Sequence, residues 1–163
     1  MKADDRVGVL FVCMGNICRS PLARALFEHQ SEERGVGGRL RIDSCGTGAW
    51  HVGNGADPRT IMVAQSHGIP MVHTARRFHA DDVWTFEHII AMDRANLRAL
   101  EELGCPAGRA TLLRTFDPGA DHDEVPDPYY GGPDGFERMY EMIDRACRHL
   151  LERVLDCDVP FRR

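Results

Sequence analysis

A short apolar run near the start of the chain, followed at once by a turn and a helix start, constrains the fold more than any other feature. The run Val7–Val12, VGVLFV, is rich in β-branched residues and does not alternate with polar ones. This pattern is typical of a strand buried on both faces, as in a parallel sheet. After residues 13–19, which include a glycine and an asparagine, Ser20-Pro21 predicts a helix with Ser20 as its cap and Pro21 at its first position.

Segments of the same two kinds alternate along the rest of the chain. The first helix is expected to end near residues 34–35, further strands are predicted over 40–44, 88–92 and 110–113, and further helices over 57–68, 80–85, 93–103 and from Pro133 onward. Residues 115–132 form a long loop rich in proline and acidic residues, and loops of this length are usually functional or mobile. The last helix carries an apolar stripe that we expect to face the core: Met139, Met142, Ile143, Ala146, Leu150, Leu151 and Val154.

Regular alternation of strand and helix, with no internal repeat and no linker, predicts the fold class. We expect a single α/β domain over residues 1–163, doubly wound, with a four-stranded parallel sheet and helices on both faces. Ligands of such sheets bind at the carboxyl ends of the strands, near the point where the strand order reverses. The loop over residues 13–19 is therefore the first candidate for a functional site.

Charge and composition argue against several classes of protein. A net charge of -5 disfavours a general nucleic-acid binder, and no run approaches the roughly 20 apolar residues that span a bilayer. No signal peptide is visible, so we expect a cytoplasmic protein whose six cysteines are reduced, although secretion without a signal stays open. The cysteines form no C-x-x-C pair and no H-x-x-x-H accompanies them, which argues against structural zinc.

Residues 13–19, CMGNICR, which we call the CX5R loop, carry the most informative chemistry. The spacing alone is weak, because Cys18/Arg24, Cys147/Arg153 and Cys157/Arg163 repeat it, but only Cys13 lies between a buried strand and a helix start. A tight loop entering a helix can direct successive backbone N–H groups at an anion and favour a thiolate. A guanidinium at Arg19 could bind two phosphate oxygens, which suits phosphoryl transfer to the cysteine.

Four ordered segments resemble those of the low-molecular-weight protein tyrosine phosphatases. The CX5R loop with Ser20-Pro21 resembles the phosphate loop of that family. Residues 43–53 resemble its second strand and specificity loop, residues 91–97 its M-D-x-x-N-L segment, and residues 127–131 its D-P-Y-Y-G acid loop. The resemblance covers most of the chain, and it implies hydrolysis of phosphotyrosine and small aryl phosphates through a cysteinyl-phosphate.

The resemblance also implies roles for individual residues. Cys13 would be the nucleophile, Arg19 the phosphate clamp, and Asp127 the general acid that protonates the leaving phenol and later activates water. The residues alone do not select Asp127, because other acidic residues are equivalent by dipeptide or lie nearby. These are Asp57, Asp117, Asp121, Asp123 and Glu124.

Further residues would bind the substrate or support the loop. By the same resemblance, Asn16, Ser44 and His73 would brace the CX5R loop, and Ser20 could cap the helix, bind the thiolate, or both. The substrate would contact the inner residues of the loop and three aromatic walls, although Trp50 could instead be core and the tyrosines loop anchors. These substrate-binding residues are Met14, Gly15, Asn16, Ile17, Cys18, Trp50, Tyr129 and Tyr130.

Two positions of the loop refine the expectation. Relatives that resemble protein arginine phosphatases carry threonine where this chain has Ile17, so isoleucine favours phosphotyrosine. Cys18 could form a reversible disulfide with Cys13 under oxidant, or it could be a small buried side chain.

Two other functions remain open at this point. A thioredoxin-coupled arsenate reductase shares the fold and loop, but residues 74–92, where its relay cysteines are expected, contain none. A catalytically silent phosphotyrosine-binding module would not need Cys13, Arg19 and Asp127 together. The favoured interpretation implies no cofactor and no metal, a monomer or weak dimer, and partners that are phosphotyrosine proteins, among them a tyrosine kinase, with inorganic phosphate as product inhibitor.

Overall fold

A central parallel sheet organises the chain, as the sequence predicts. The computed structural model describes residues 4–129 and 131–157. Its four strands are β1 (Val7–Cys13), β2 (Leu40–Gly46), β3 (His88–Ala91) and β4 (Ala110–Leu112). They pair in parallel in the order β2-β1-β3-β4, so the strand order reverses between β1 and β3.

Helices cover both faces of this sheet. In the described part of the chain the α-helices are α1 (Arg19–Glu33), α2 (Pro58–Ser66), α3 (Asp82–Thr85), α4 (Arg94–Glu102) and α5 (Pro133–Cys157). Side chains from α1, α2 and α5 form one apolar cluster, and side chains from α3 and α4 form the other. The predicted doubly wound α/β architecture is therefore confirmed.

Strand β1 shows why its sequence does not alternate. Phe11 joins the cluster under α1 and α5, while Leu10 and Val12 join the cluster under α3 and α4. All of its residues are buried, since each face of the strand packs against helices. The ring of Phe11 meets Phe27 of α1 edge-on at 5.4 Å, and burying one such side chain contributes roughly 1.5–3 kcal/mol.

The apolar stripe of α5 faces the core, as expected. Met139, Ile143, Ala146, Leu150, Leu151 and Val154 are buried, and Met142 is half-buried. Within the described residues, no helix combines the length and apolar character needed to cross a lipid bilayer.

The start of α1 differs from the sequence prediction. The helix begins at Arg19, its N-cap is Cys18, and no side chain caps it. Ser20 therefore lies at the second helical position and Pro21 at the third, so the prediction that Ser20 caps the helix and Pro21 opens it is wrong. The hydroxyl of Ser20 is directed to the CX5R loop instead, where it contacts the thiol of Cys13 and the side chain of Asn16.

Three segments meet at the carboxyl end of the sheet. The CX5R loop follows β1, Met92-Asp93 follows β3, and residues 117–129, which we call the acidic loop, follow β4 and a short 3-10 helix at Leu113–Phe116. The N–H of Val125 donates to the carbonyl of Met92, which ties the acidic loop to the end of β3. The fold thus brings the predicted site segments together at the reversal of strand order.

Candidate active site

Cys13 lies at the carboxyl end of β1 with its thiol in a polar setting. The residue is 2% exposed, and its Sγ lies 2.9 Å from Ser20 Oγ. The backbone N–H of Ser20 also donates to this sulfur, over 3.4 Å. Donors of this kind at a helix N-terminus favour the thiolate, the nucleophilic form of cysteine. The pair Cys147/Arg153 lies inside α5, so it has no comparable loop.

The backbone of the CX5R loop is arranged as an anion-binding nest. Asn16 adopts a left-handed conformation with φ of 57°, which lets successive peptide units turn their N–H groups to one side. The structure gives none of the N–H groups of residues 14–18 an acceptor among the described residues. These donors and the amino end of α1 are therefore available to an oxyanion.

The side chain and carbonyl of Asn16 hold the loop in this shape. Its amide group donates to Ser20 Oγ (2.8 Å) and Ser44 Oγ (3.1 Å), and its Oδ1 accepts from the N–H of Arg76 (3.0 Å). His73 Nε2 donates to the carbonyl of Asn16 over 2.6 Å. Burial lowers the pKa of His73, so this imidazole favours its neutral form. The predicted supporting residues therefore converge on one asparagine.

Arg19 connects the CX5R loop to the acidic loop. Its Nη1 donates to Asp93 Oδ2 (2.6 Å) and to the carbonyl of Val125 (2.9 Å), and its Nη2 lies 3.6 Å from Asp127 Oδ2. Burial acts to lower the pKa of Arg19, but the negative charges of Cys13, Asp93 and Asp127 outweigh it, and the pKa is raised. The guanidinium stays charged and is fixed by partners on two sides.

The structure separates the three Asp-Pro dipeptides that the sequence leaves equivalent. Asp57 caps α2 by accepting from the N–H of Arg59, and its hydrogen bonds with Arg59 lower its pKa. Asp117 is buried and paired with Arg145 at 2.8 Å; burial acts to raise its pKa, but that pairing and a backbone N–H lower it. Asp127 lies at the cavity with its side chain 34% exposed.

The other acidic residues of this region pair with arginines and do not line the cavity. Asp121 pairs with Arg114 and Asp123 with Arg94, each within 3.0 Å. The N–H of Arg94 also donates to the carboxylate of Glu124. None of these three acidic residues lines the cavity, so Asp127 is the acid of the acidic loop that the fold brings to Cys13.

A cavity of about 380 Å³ opens above the loop, and its lining matches most of the expected substrate-binding set. Trp50 is 73% exposed, so it is not a core residue, and its ring lies against Gly48, where any side chain would collide with it. Tyr130 lies outside the described residues. The lining residues are Cys13, Met14, Gly15, Ile17, Cys18, Arg19, Trp50, His51, Asp127 and Tyr129.

Tyr129 forms part of the cavity wall and is held by Arg59. The guanidinium carbon of Arg59 lies 5.2 Å from the centre of the Tyr129 ring, and its Nη1 donates to the Tyr129 carbonyl over 3.1 Å. Such a cation–π contact stabilises the ring by about 0.5–1 kcal/mol at an exposed site. The wall is therefore supported from α2 as well as from its own loop.

Two residues of the site were missed by the sequence analysis. His51 lines the cavity, and a Cβ on Gly15 would lie 3.1 Å from His51 Cδ2, so any larger residue at position 15 would press against the His51 ring. Asp93 holds Arg19 while its other oxygen caps α4 in a capping box with Asn96. The capping pattern of Asp93 was visible in the sequence, but its pairing with a residue 74 positions away was not.

Cys18 is buried beneath the cavity, and its thiol is not activated. Burial raises the pKa of Cys18 to about 12, so the group stays protonated near neutral pH. Cys13, Cys18, Cys45, Cys105 and Cys147 are all free thiols. The regulatory disulfide between Cys13 and Cys18 stays a prediction.

Comparisons with known proteins agree with this geometry. Residues 8–158 match the family described as low molecular weight phosphotyrosine protein phosphatase. A curated relative from Streptomyces coelicolor, named low molecular weight protein-tyrosine-phosphatase, is 47% identical over 90% of this chain and 92% of its own.

Solved structures show the same fold. A protein tyrosine phosphatase from Entamoeba histolytica superposes with a TM-score of 0.87 at 34% identity, covering 92% of this chain and 97% of its own. A Drosophila arginine phosphatase superposes with a TM-score of 0.82 at 32% identity, covering 89% of this chain and 96% of its own.

The fold and site define a phosphatase-type α/β domain built around a CX5R loop. The chain belongs to the low molecular weight phosphotyrosine protein phosphatase family.

Proposed function

We propose that this protein is a protein tyrosine phosphatase that hydrolyses phosphotyrosine and small aryl phosphates. One observation carries the proposal: Cys13 and Arg19 of the CX5R loop and Asp127 of the acidic loop line one cavity, together with the aromatic residues Trp50 and Tyr129. A thiolate nucleophile, a fork-shaped cation and a carboxylic acid are the groups that a phosphate monoester requires for transfer to cysteine.

In the first step the phosphate binds over the nest, and Cys13 Sγ attacks phosphorus. The S–P bond forms as the P–O bond to the phenol breaks, and the leaving oxygen takes the proton of Asp127. Charge on the three equatorial oxygens is held by the loop N–H groups and by Arg19, which are fixed before reaction and so stabilise the transition state.

In the second step water replaces the phenol. Asp127, now a carboxylate, removes a proton from the water, whose oxygen attacks phosphorus as the S–P bond breaks. Ser20, 2.9 Å from the sulfur, donates to the departing thiolate. Inorganic phosphate leaves, Asp127 is protonated again, and the cycle closes; because the same nest binds the product, we expect phosphate to inhibit.

The shape of the cavity supports an aryl substrate. Trp50 and Tyr129 both line the cavity, and their aromatic side chains suit the flat ring of a phosphotyrosine. Ile17 is buried in the loop and lines the same cavity, and its apolar side chain offers no hydrogen bond to a guanidinium leaving group. These features favour phosphotyrosine over phosphoarginine.

The test is a substrate panel with the reduced protein. We expect turnover of p-nitrophenyl phosphate and of a phosphotyrosine peptide, at least tenfold weaker turnover of a phosphoarginine peptide, and no thioredoxin-dependent reduction of arsenate. Cys13→Ser should lose about 10⁴-fold or more in kcat, because a serine hydroxyl is not ionised, while it still binds phosphate. Cys45→Ser, a buried thiol outside the cavity, is the matched control.

Each alternative has its own outcome in that panel. A folded, reduced protein that binds a phosphotyrosine peptide without turnover would be a binding module. Arsenate reduction without phosphatase activity would make it an arsenate reductase. Retained turnover in Cys13→Ser would contradict the covalent mechanism.

The proposed steps use only water and the side chains and backbone N–H groups of this chain, so we expect chelators to leave the rate unchanged. We propose that the chain is one phosphatase domain, a monomer or weak dimer of the cytoplasm, and that its partners are phosphotyrosine proteins, a tyrosine kinase among them. A pulldown with Asp127→Ala, which holds substrate without releasing it, would identify them.

A further inference from the structure

Two buried guanidinium groups hold consecutive carbonyl oxygens in the segment that leads to Asp127. Arg19 Nη1 donates to the carbonyl of Val125 over 2.9 Å, and Arg114 Nη1 donates to the carbonyl of Glu124 over 2.9 Å. The side chain of each arginine is 3% exposed. Neighbouring peptide groups of the acidic loop are thus fixed from two directions.

We propose that Arg114 is a positioning residue for the general acid: by fixing the backbone at Glu124, its guanidinium sets where the carboxylate of Asp127 stands over the cavity. The inference rests on the proposed function of Asp127 as the acid. It assigns a role to a residue that does not line the cavity.

The short connection between Glu124 and Asp127 transmits this position. Pro126 and Pro128 flank Asp127, and each proline ring fixes its own φ, so few backbone rotations can absorb a displacement. Asp127 Oδ1 also accepts from the N–H of Tyr129 over 3.0 Å, which orients the carboxylate relative to the same backbone. A shift at Glu124 therefore moves the acid.

Burying the guanidinium of Arg114 costs free energy that a side chain serving only to fill space would not require. Its Nε is buried without an acceptor among the described residues, and the carboxylate that pairs with it, on Asp121, is 83% exposed. Its Nη1 lies 3.2 Å from both ring nitrogens of His122. An apolar side chain of similar length would be cheaper to bury, so the guanidinium is there for its hydrogen bonds, and these reach residues 121, 122 and 124 of the acidic loop.

Arg94 offers a contrast within the same loop. It pairs with Asp123 and with the carboxylate of Glu124, but its side chain is 55% exposed. Exposed ion pairs contribute little to stability. Its guanidinium reaches side chains rather than the carbonyls before Asp127. The positioning role therefore falls to Arg114 and not to every arginine near the loop.

The test compares two aryl esters in Arg114→Met, which keeps the aliphatic volume and removes the donors. For phenyl phosphate, whose leaving group needs a proton, we expect kcat/KM to fall between about tenfold and 100-fold. For 2,4-dinitrophenyl phosphate, whose leaving group departs as a stable anion, the fall should be less than about twofold. Arg114→Lys, which retains one donor, should recover part of the loss for phenyl phosphate.

A matched control and a second readout keep the outcomes distinct. Arg145→Met makes the same change at an arginine that holds Asp117 and the Gly119 carbonyl at the start of the loop, and it should alter neither ester. Amide hydrogen exchange over residues 124–129 should speed up in Arg114→Met only. Equal losses for both esters, or unchanged exchange, would overturn the positioning role, whereas a parent protein inactive on both esters would overturn the proposed function itself.

Discussion

The CX5R loop and the acidic loop face each other across one cavity, yet they are built by different means. The CX5R loop joins β1 directly to α1, its residues from Asn16 onward are buried, and Asn16 holds it through four hydrogen bonds. The acidic loop arrives from the edge of the sheet, and the guanidinium groups of Arg19, Arg94 and Arg114 hold it by its carbonyls and carboxylates.

The difference corresponds to what each loop must do. Donors that stabilise an oxyanion act best when they are fixed before the reaction, which backbone N–H groups between a strand and a helix achieve. An acid that gives a proton to a phenol and later takes one from water needs accurate placement and solvent access, and the half-exposed side chain of Asp127 has both. Arginine clamps supply placement without enclosing the carboxylate.

Among the residues that connect the two loops, the largest effect is expected at Arg19, which lies in the CX5R loop and contacts the acidic loop. Arg19→Lys should lower kcat/KM for p-nitrophenyl phosphate by about 10³-fold, because a single ammonium cannot bind two phosphate oxygens and also hold Asp93 and Val125. Arg24→Lys, one turn further along α1, should change it less than about twofold. Steady-state kinetics of the two folded variants measures both values of kcat/KM. A fall of less than tenfold in Arg19→Lys would contradict the role of Arg19 in binding phosphate and holding the acidic loop.

The next effect separates the acidic loop from its neighbours. Asp127→Ala should slow kcat/KM for phenyl phosphate by about 10²-fold or more, since the leaving group then departs without a proton. Asp117→Ala should lower stability through the loss of its pairing with Arg145 while leaving the folded enzyme active. If Asp117→Ala reduced turnover more than Asp127→Ala does, the acid would be misassigned.

A smaller effect is expected from the brace of the CX5R loop. Asn16→Gly keeps the left-handed backbone but removes the bonds to Ser20, Ser44 and the Arg76 N–H, so the free energy of unfolding should fall by about 1–3 kcal/mol. We expect kcat/KM to fall about tenfold as the nest loosens. Denaturant unfolding and kinetics measure both, with the exposed Asn54→Gly as control; unchanged stability would show that the brace is unimportant.

The smallest effect distinguishes the two loops by their response to acid. Because burial lowers the pKa of His73, the unfolded chain takes up a proton near pH 6.5 that the folded protein resists, so stability falls as the pH drops toward the folded pKa. His73→Gln, which retains a donor for the Asn16 carbonyl, should lose less stability than the parent between pH 7.5 and pH 5. Equal losses, measured by denaturant unfolding, would argue against this origin.

The ion pairs that Asp121 and Asp123 of the acidic loop form with Arg114 and Arg94 should not weaken over that range. Hydrogen bonds with Arg114 and Arg94 lower the pKa values of Asp121 and Asp123 respectively. These carboxylates therefore stay charged at pH 5, and their contribution to stability is lost only as the pH falls through their lowered pKa values. Hydrogen exchange at pH 5, compared with the intrinsic rate of each amide, should accordingly speed up at the N–H of Arg76, which donates to Asn16, before it does at the N–H of Val125, which donates to Met92.

Much of the fold could be predicted because buried parallel strands leave a strong local signal. The unbroken apolar run at β1 and the stripe on α5 follow directly from burial on two faces and on one face. The position of Cys13 between a strand and a helix start also follows from local sequence, although the exact first residue of α1 does not. Ser20 resembles a cap by composition, yet its hydroxyl contacts the CX5R loop instead.

What could not be predicted depends on contacts between distant segments. Three Asp-Pro dipeptides have the same local chemistry, and only the folded path of the acidic loop places Asp127 over the cavity while Asp57 caps a helix and Asp117 pairs with α5. The pairing of Asp93 with Arg19 likewise joins residues that no spacing rule connects. A family resemblance adds most to local physical reasoning at residues such as these, which have local equivalents or depend on a partner far away in the sequence.

The guanidinium of Arg19 contacts the carbonyl of Val125 and the carboxylate of Asp127, and it also lines the anion-binding cavity. Binding of an anion in the cavity and the position of the acid are therefore thermodynamically linked. An anion that binds to Arg19 changes the free energy of the acidic loop. By thermodynamic reciprocity, a displacement of the acidic loop changes the affinity for the anion by the same factor. The affinity for a simple oxyanion therefore reports, without any turnover, on how firmly the acidic loop is held.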